Sequence, residues 1–90
     1  MTKTVTPYFD PAQKAQDILN LVAAAALGKQ LSAVYADKDG VVSLRRFVPQ
    51  SIERCQNGSA IVRVYDVQRK DTRKFRLGML TYVSVVRDEA

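Results

Sequence analysis

The chain has 90 residues, a formal net charge of +5, one cysteine and no histidine. That length builds one domain with a modest core, and with no histidine and one cysteine there is neither a zinc ligand set nor a Ser-His or Cys-His nucleophilic pair. No apolar run approaches the roughly 18 residues of a membrane helix, the N-terminus MTKTVTPYFDP has no apolar signal region, and the lone Cys55 fits a reducing, cytoplasmic setting.

Residues 1–9 read as a flexible arm, with an edge strand over Thr4–Thr6, stopped by Pro7, as the alternative. A helix follows over residues 10–28. Asp10 suits the N-cap, Pro11 the first helical position, Gln13 a capping box, and Gly28 the C-terminal stop. Ala15, Ile18, Leu19, Leu21, Val22, Ala25 and Ala26 recur at helical spacing, with Lys14, Gln16, Asp17 and Asn20 off that face. This apolar face is expected to pack on the protein's own sheet, with a second copy of the helix as the alternative.

From residue 31 the period changes to that of strands. LSAVYA (31–36) is a strand, DKDG (37–40) a turn, and VVSLRRFV (41–48) a strand closed by Pro49. SIERC (51–55) is a short strand or an extension, and Asn57-Gly58 a second hairpin signal. SAIVRVYDV (59–67), TRKFRL (72–77) and TYVSVV (81–86) complete the set, with a break at Gly78. The expected fold is α+β: an N-terminal helix, then a small five-stranded antiparallel barrel of SH3/Sm type over residues 29–90.

Charge is unevenly placed. Residues 1–44 carry four Lys against four Asp, whereas residues 45–90 carry ten basic groups, including all eight Arg, against five acids. Clustered Arg, whose planar fork matches phosphate and stacks on bases, points to an anionic partner. In TRKFRL, alternation turns Phe75 and Leu77 inward and Arg76 outward, with Arg73 at the rim. Around residue 44 it does not decide, because both faces hold an Arg. Arg46, Arg63, Arg69, Lys70 and Lys74 read as solvated charge. Tyr65 and Tyr82 read as packing residues, Cys55 as an ordinary small side chain, and Asp37 and Asp39 as turn formers. The acids sit mostly in turns and the tail, so no enzyme and no cofactor are expected.

The order of blocks resembles the WYL domain family. Tyr35, Asp37 and Gly40 match its first strand and turn, and Ser43, Arg45 and Pro49 its second element. Gly58 leads the third, and Arg73, Phe75, Arg76 and Leu77 match the fourth. The likeness runs over about residues 27–87. The naming tripeptide is replaced by Ala60-Ile61-Val62, and the closing Asp-Arg by Gly78-Met79. The winged helix-turn-helix that usually precedes the domain is not recognisable in residues 1–30. The resemblance implies a small barrel in bacterial transcription regulation that binds single-stranded nucleic acid, an oligonucleotide or a nucleotide. It places Tyr35, Ser43, Arg45, Arg73 and Arg76 at that ligand. The alternative reading is a protein-interaction module. In that case it forms a homodimer, or it is a partner or inhibitor of a host factor or a WYL-type regulator, of the kind that phages encode.

Overall fold

The structure, a computed structural model, describes residues 11–86. The expected arm, the Asp10 cap and the tail from Arg87 lie outside them. Helix α1 (Pro11–Leu27) ends as the sequence predicts. Gly28 takes a left-handed φ of +66°, and the Lys29 N–H donates to the Ala24 carbonyl at 2.9 Å. That is the closing bond of a Schellman motif, whose left-handed residue favours glycine.

Five strands follow: β1 (Leu31–Ala36), β2 (Val42–Arg54), β3 (Ala60–Asp66), β4 (Asp71–Arg76) and β5 (Leu80–Val85). They form one antiparallel sheet in the order β4-β3-β2-β1-β5. The β1–β2 turn is built by Asp37, whose Oδ1 accepts the N–H groups of Asp39 and Val41, both at 2.9 Å. At the β2–β3 turn Asn57 Oδ1 accepts the Ser59 N–H at 3.0 Å, and Gly58 has φ +85°. Leu21, Ala24, Leu31, Ala33, Phe47, Val62, Val64, Phe75, Leu80 and Val83 form the core, drawn from the helix and all five strands. No described helix is long and apolar enough to cross a membrane.

Three expectations need correction. Pro49 does not close a strand. β2 runs unbroken for 13 residues, with Pro49 buried beside a register shift against β3 between Pro49 and Ser51. Proline donates no ladder hydrogen bond, and such an irregularity is where a strand tolerates it. The second correction concerns the barrel, which is not closed. Among the described residues β4 pairs only with β3 and β5 only with β1, and a 3₁₀ turn over Leu77–Met79 joins these two edges. Side chains of α1, rather than β4, take backbone groups of β5 and of that turn. The third correction is the helix face.

α1 packs on β2 and β5 through the side that carries its polar residues. Lys14 Nζ donates to the carbonyls of Leu77 and of Leu80, the latter at 2.9 Å. Asp17, fully enclosed, accepts the Val83 N–H at 3.3 Å and the Gln13 amide at 2.9 Å. Asn20 Nδ2 donates to the Val83 carbonyl at 3.1 Å. Only Leu21 and Ala24 from α1 enter the core. An edge strand leaves N–H and C=O groups without a strand partner, and here three helical side chains serve as that partner. Ala15, Leu19, Val22 and Ala26, four of the seven residues of the expected inner face, are exposed, as is Leu27.

The register of β5 explains why Val83 is free to meet the helix. Pairing with β1 shifts between Ser32 and Val34, so Tyr82 and Val83 bulge out of the ladder. Tyr82 takes φ +53°, a conformation that costs a bulky residue roughly 1–2 kcal/mol. Its side chain is exposed, contrary to its reading as a packing residue, so little burial offsets that cost.

Two measurements follow from this edge. Asparagine tolerates the left-handed region, so Tyr82→Asn is expected to match or exceed the parent in chemical denaturation. Tyr82→Val is expected to lose about 1 kcal/mol or more. Lys14→Met strands two carbonyls and is expected to cost about 1–3 kcal/mol. Burial lowers the Lys14 pKa from 10.5, with Asp17 opposing the shift. The unfolded chain therefore holds this proton to higher pH than the folded one. Lys14 makes a stability contribution that is present above pH 10.5 and fades as pH falls through the lowered folded value. The stability gap between parent and Lys14→Met should therefore widen as pH rises through that alkaline window.

Candidate functional site

In β3 the inward positions are Val62, Val64 and Asp66, all buried. A carboxylate at the third of them must find cations and donors or destabilise the fold. Asp66 finds both. Its Oδ1 accepts the backbone N–H groups of Gln68 and Arg69, at 3.0 and 3.1 Å, which shapes the turn into β4. Its Oδ2 faces three guanidinium groups: Arg69 Nη1 at 3.4 Å, Arg45 Nη1 at 3.7 Å and Arg73 Nε at 3.8 Å. One buried anion thus gathers three cations from β2, β4 and the turn between β3 and β4. Among the described residues no other carboxylate forms an ion pair with these three guanidiniums; Asp71, opposite Asp66 in the β3–β4 ladder, is exposed.

The three arginines differ in access. Arg45 is only 13% exposed, whereas Arg73 is 41% and Arg69 45% exposed. Arg45 is held from several sides. Its Nε donates to Ser43 Oγ at 3.0 Å, and its guanidinium lies 6.0 Å from the Tyr35 ring centre and 5.8 Å from that of Phe75. Tyr35 itself rests on Phe75, with ring centres 4.6 Å apart, and Phe75 meets Phe47 edge-on at 5.5 Å. The strand register accounts for this grouping. Tyr35 pairs with Ser43, Ala33 with Arg45, Phe47 with Asp66 and Val64 with Arg73, and cross-strand partners share a face. The sequence left the face of Arg45 open; the structure turns Ser43, Arg45 and Phe47 inward.

Arg76 stands apart from the fan. It pairs with Ile61 on the outer face of β4, as alternation predicts. Its side chain borders two shallow cavities. One, about 200 Å³, is lined by Tyr35, Asp37, Lys38, Arg76 and Met79. The other, about 250 Å³, is lined by Cys55, Asn57, Ser59, Ile61 and Arg76. The β1–β2 and β2–β3 turns therefore both approach the end of β4. Of the five expected site residues, the structure brings Tyr35, Ser43, Arg45 and Arg73 onto one face. It joins Arg76 to Tyr35 across the first cavity.

Two members of this cluster were not legible as site residues. Arg69 reads from the sequence as solvated turn charge, yet it pairs with Asp66. Asp66 draws no attention by residue type alone. The available signal was its parity with Val62 and Val64, which predicts a buried carboxylate and hence cations around it.

Replacing Asp66 by alanine removes the acceptor of two turn N–H groups and leaves three guanidiniums facing one another. The expected loss is about 3–5 kcal/mol in urea denaturation, the range for breaking a buried ion pair. Asp66→Asn, which keeps one acceptor oxygen for the turn, is expected to lose less.

No protein-family model matches the chain. No curated protein matches it. Among solved structures, the chain is similar to proteasome accessory factor B/C (PafBC) of Arthrobacter aurescens. The TM-score is 0.72 at 19% sequence identity, covering 91% of this chain and 13% of that one. The chain thus shares the fold of a small part of that protein over most of its own length.

Proposed function

We propose that the chain is a WYL-like regulatory module that binds single-stranded nucleic acid or a shorter oligonucleotide. The observation that carries this reading is the Asp66-centred arginine fan: three guanidiniums against one carboxylate, beside a half-buried tyrosine. A phosphate arriving there meets unbalanced positive charge that the fold has already oriented. Bidentate guanidinium–phosphate bonds are among the stronger charge-assisted contacts.

Each residue has a distinct part in this reading. Arg73 and Arg69 are accessible enough to meet phosphate. Arg45, mostly enclosed, holds Ser43 and the aromatic pair in place and adds field. Tyr35 offers a stacking surface at the cavity it shares with Arg76. Met79 lines that cavity too, at a position where the resembling family carries a basic residue. One cation fewer at this wall means weaker phosphate attraction and a more apolar pocket. The five-strand antiparallel order supports a WYL-like reading, although the barrel that the resemblance implies is not closed.

Fluorescence anisotropy of a labelled single-stranded oligonucleotide, repeated across a salt series, tests the proposal. Binding should weaken steeply with salt, and the slope should fall by about one for each phosphate contact removed. The double variant Arg73→Ala/Arg76→Ala is expected to bind about tenfold or more weakly. Tyr35→Ala should cost about 1–3 kcal/mol of binding, and Tyr35→Phe much less. Absence of binding at low salt, or an unchanged affinity in the double variant, overturns the reading.

A further inference from the structure

The orientation of α1 has a second implication, independent of any nucleic-acid ligand. A surface helix ordinarily turns its apolar stripe to the core. α1 turns Lys14, Asp17 and Asn20 toward β5 and the turn before it. It presents Ala15, Leu19, Val22, Ala23, Ala26 and Leu27 outward. Leu19, Val22 and Leu27 are 62%, 54% and 70% exposed. At 3.6 residues per turn these six positions fall on one arc, and none of them is charged.

We propose that this arc is the contact surface for a second copy of the chain, paired antiparallel about a two-fold axis. A two-fold contact needs a self-complementary surface, in which residue i meets j and j meets i. The stripe has that property. About a centre between Asn20 and Leu21, Leu19 of each copy faces Val22 of the other, and Ala15 faces Ala26. The larger side chains meet at the middle and the small ones let the helix ends approach. The 4-3-4 spacing of Ala15, Leu19, Val22 and Ala26 is that of a paired-helix seam.

Charge favours the same partner. The helix belongs to residues 1–44, which are neutral, while the whole excess of +5 lies in residues 45–90. Two copies meeting through α1 join at their neutral halves. Area sets the strength. An apolar face of this length is a patch of roughly 500 Å², toward the upper end for a monomer. Two of them bury roughly 1,000 Å², the lower bound for a specific interface. The dimer is therefore a reversible one.

Sedimentation equilibrium and directed cross-linking test it. The full chain should show concentration-dependent dimerisation that persists at high salt, where nucleic-acid binding fails. Leu19→Glu, at an exposed position that leaves the fold unchanged by circular dichroism, should weaken association at least tenfold. In a Cys55→Ser background, Ala15→Cys mixed with Ala26→Cys should form a disulfide-linked pair under mild oxidation. Neither variant alone should do so, because equivalent positions lie about 16 Å apart along the antiparallel axis. A chain that stays monomeric at millimolar concentration overturns the proposal, and leaves the arc to another protein or to residues 1–10. Efficient cross-linking of either single variant with itself overturns the antiparallel arrangement.

Discussion

The Asp66 carboxylate is the interaction on which the basic half of the molecule depends. Its two oxygens do different work: one ties down the backbone of the turn into β4, the other collects guanidiniums from three places in the chain. Arginines of like charge repel at these distances, and a buried anion at their centre turns that repulsion into a defined arrangement. The same group that stabilises the turn thus orients the cations. The turn and the placement of the arginines are coupled through a single side chain, and a substitution there acts on both.

The opposite end of the sheet is organised by helical side chains that bond to backbone groups. β5 has a bulge at Tyr82 and Val83, and that irregularity presents both polar groups of the Val83 backbone to α1. The helix is consequently held by hydrogen bonds as much as by burial. This arrangement leaves Leu19, Val22 and Leu27 outward, and the sheet is open between β4 and β5. Open edge, bulge and inverted helix are three aspects of one solution to an unpaired strand.

Much of this was legible in the sequence, for physical reasons that vary by element. β1 falls on the predicted residues because Tyr35-Ala36 runs directly into an Asp-Gly turn, and α1 ends where Gly28 requires. Phe75 and Arg76 were correctly assigned to opposite faces by alternation. The helix face was misread because apolar periodicity assumes that burial selects the inner side. In α1, Lys14, Asp17 and Asn20 are selected as backbone partners instead, a demand that exists only once β5 is in place. Pro49 was misread because the bulge that accommodates it arises from pairing with β3. At the site, parity alone groups Tyr35 with Arg73 only after the strand registers are known, and Asp66 is recognisable only as the centre of that group.

The position of Arg76 gives its side chain a role that charge does not describe. It lines two cavities, one together with Tyr35 and Met79 and the other together with Cys55 and Ile61. Truncating it removes lining from both as well as removing a cation. Glutamine at this position keeps most of the side-chain bulk and loses the charge, so comparing the glutamine and alanine variants separates the wall from the cation.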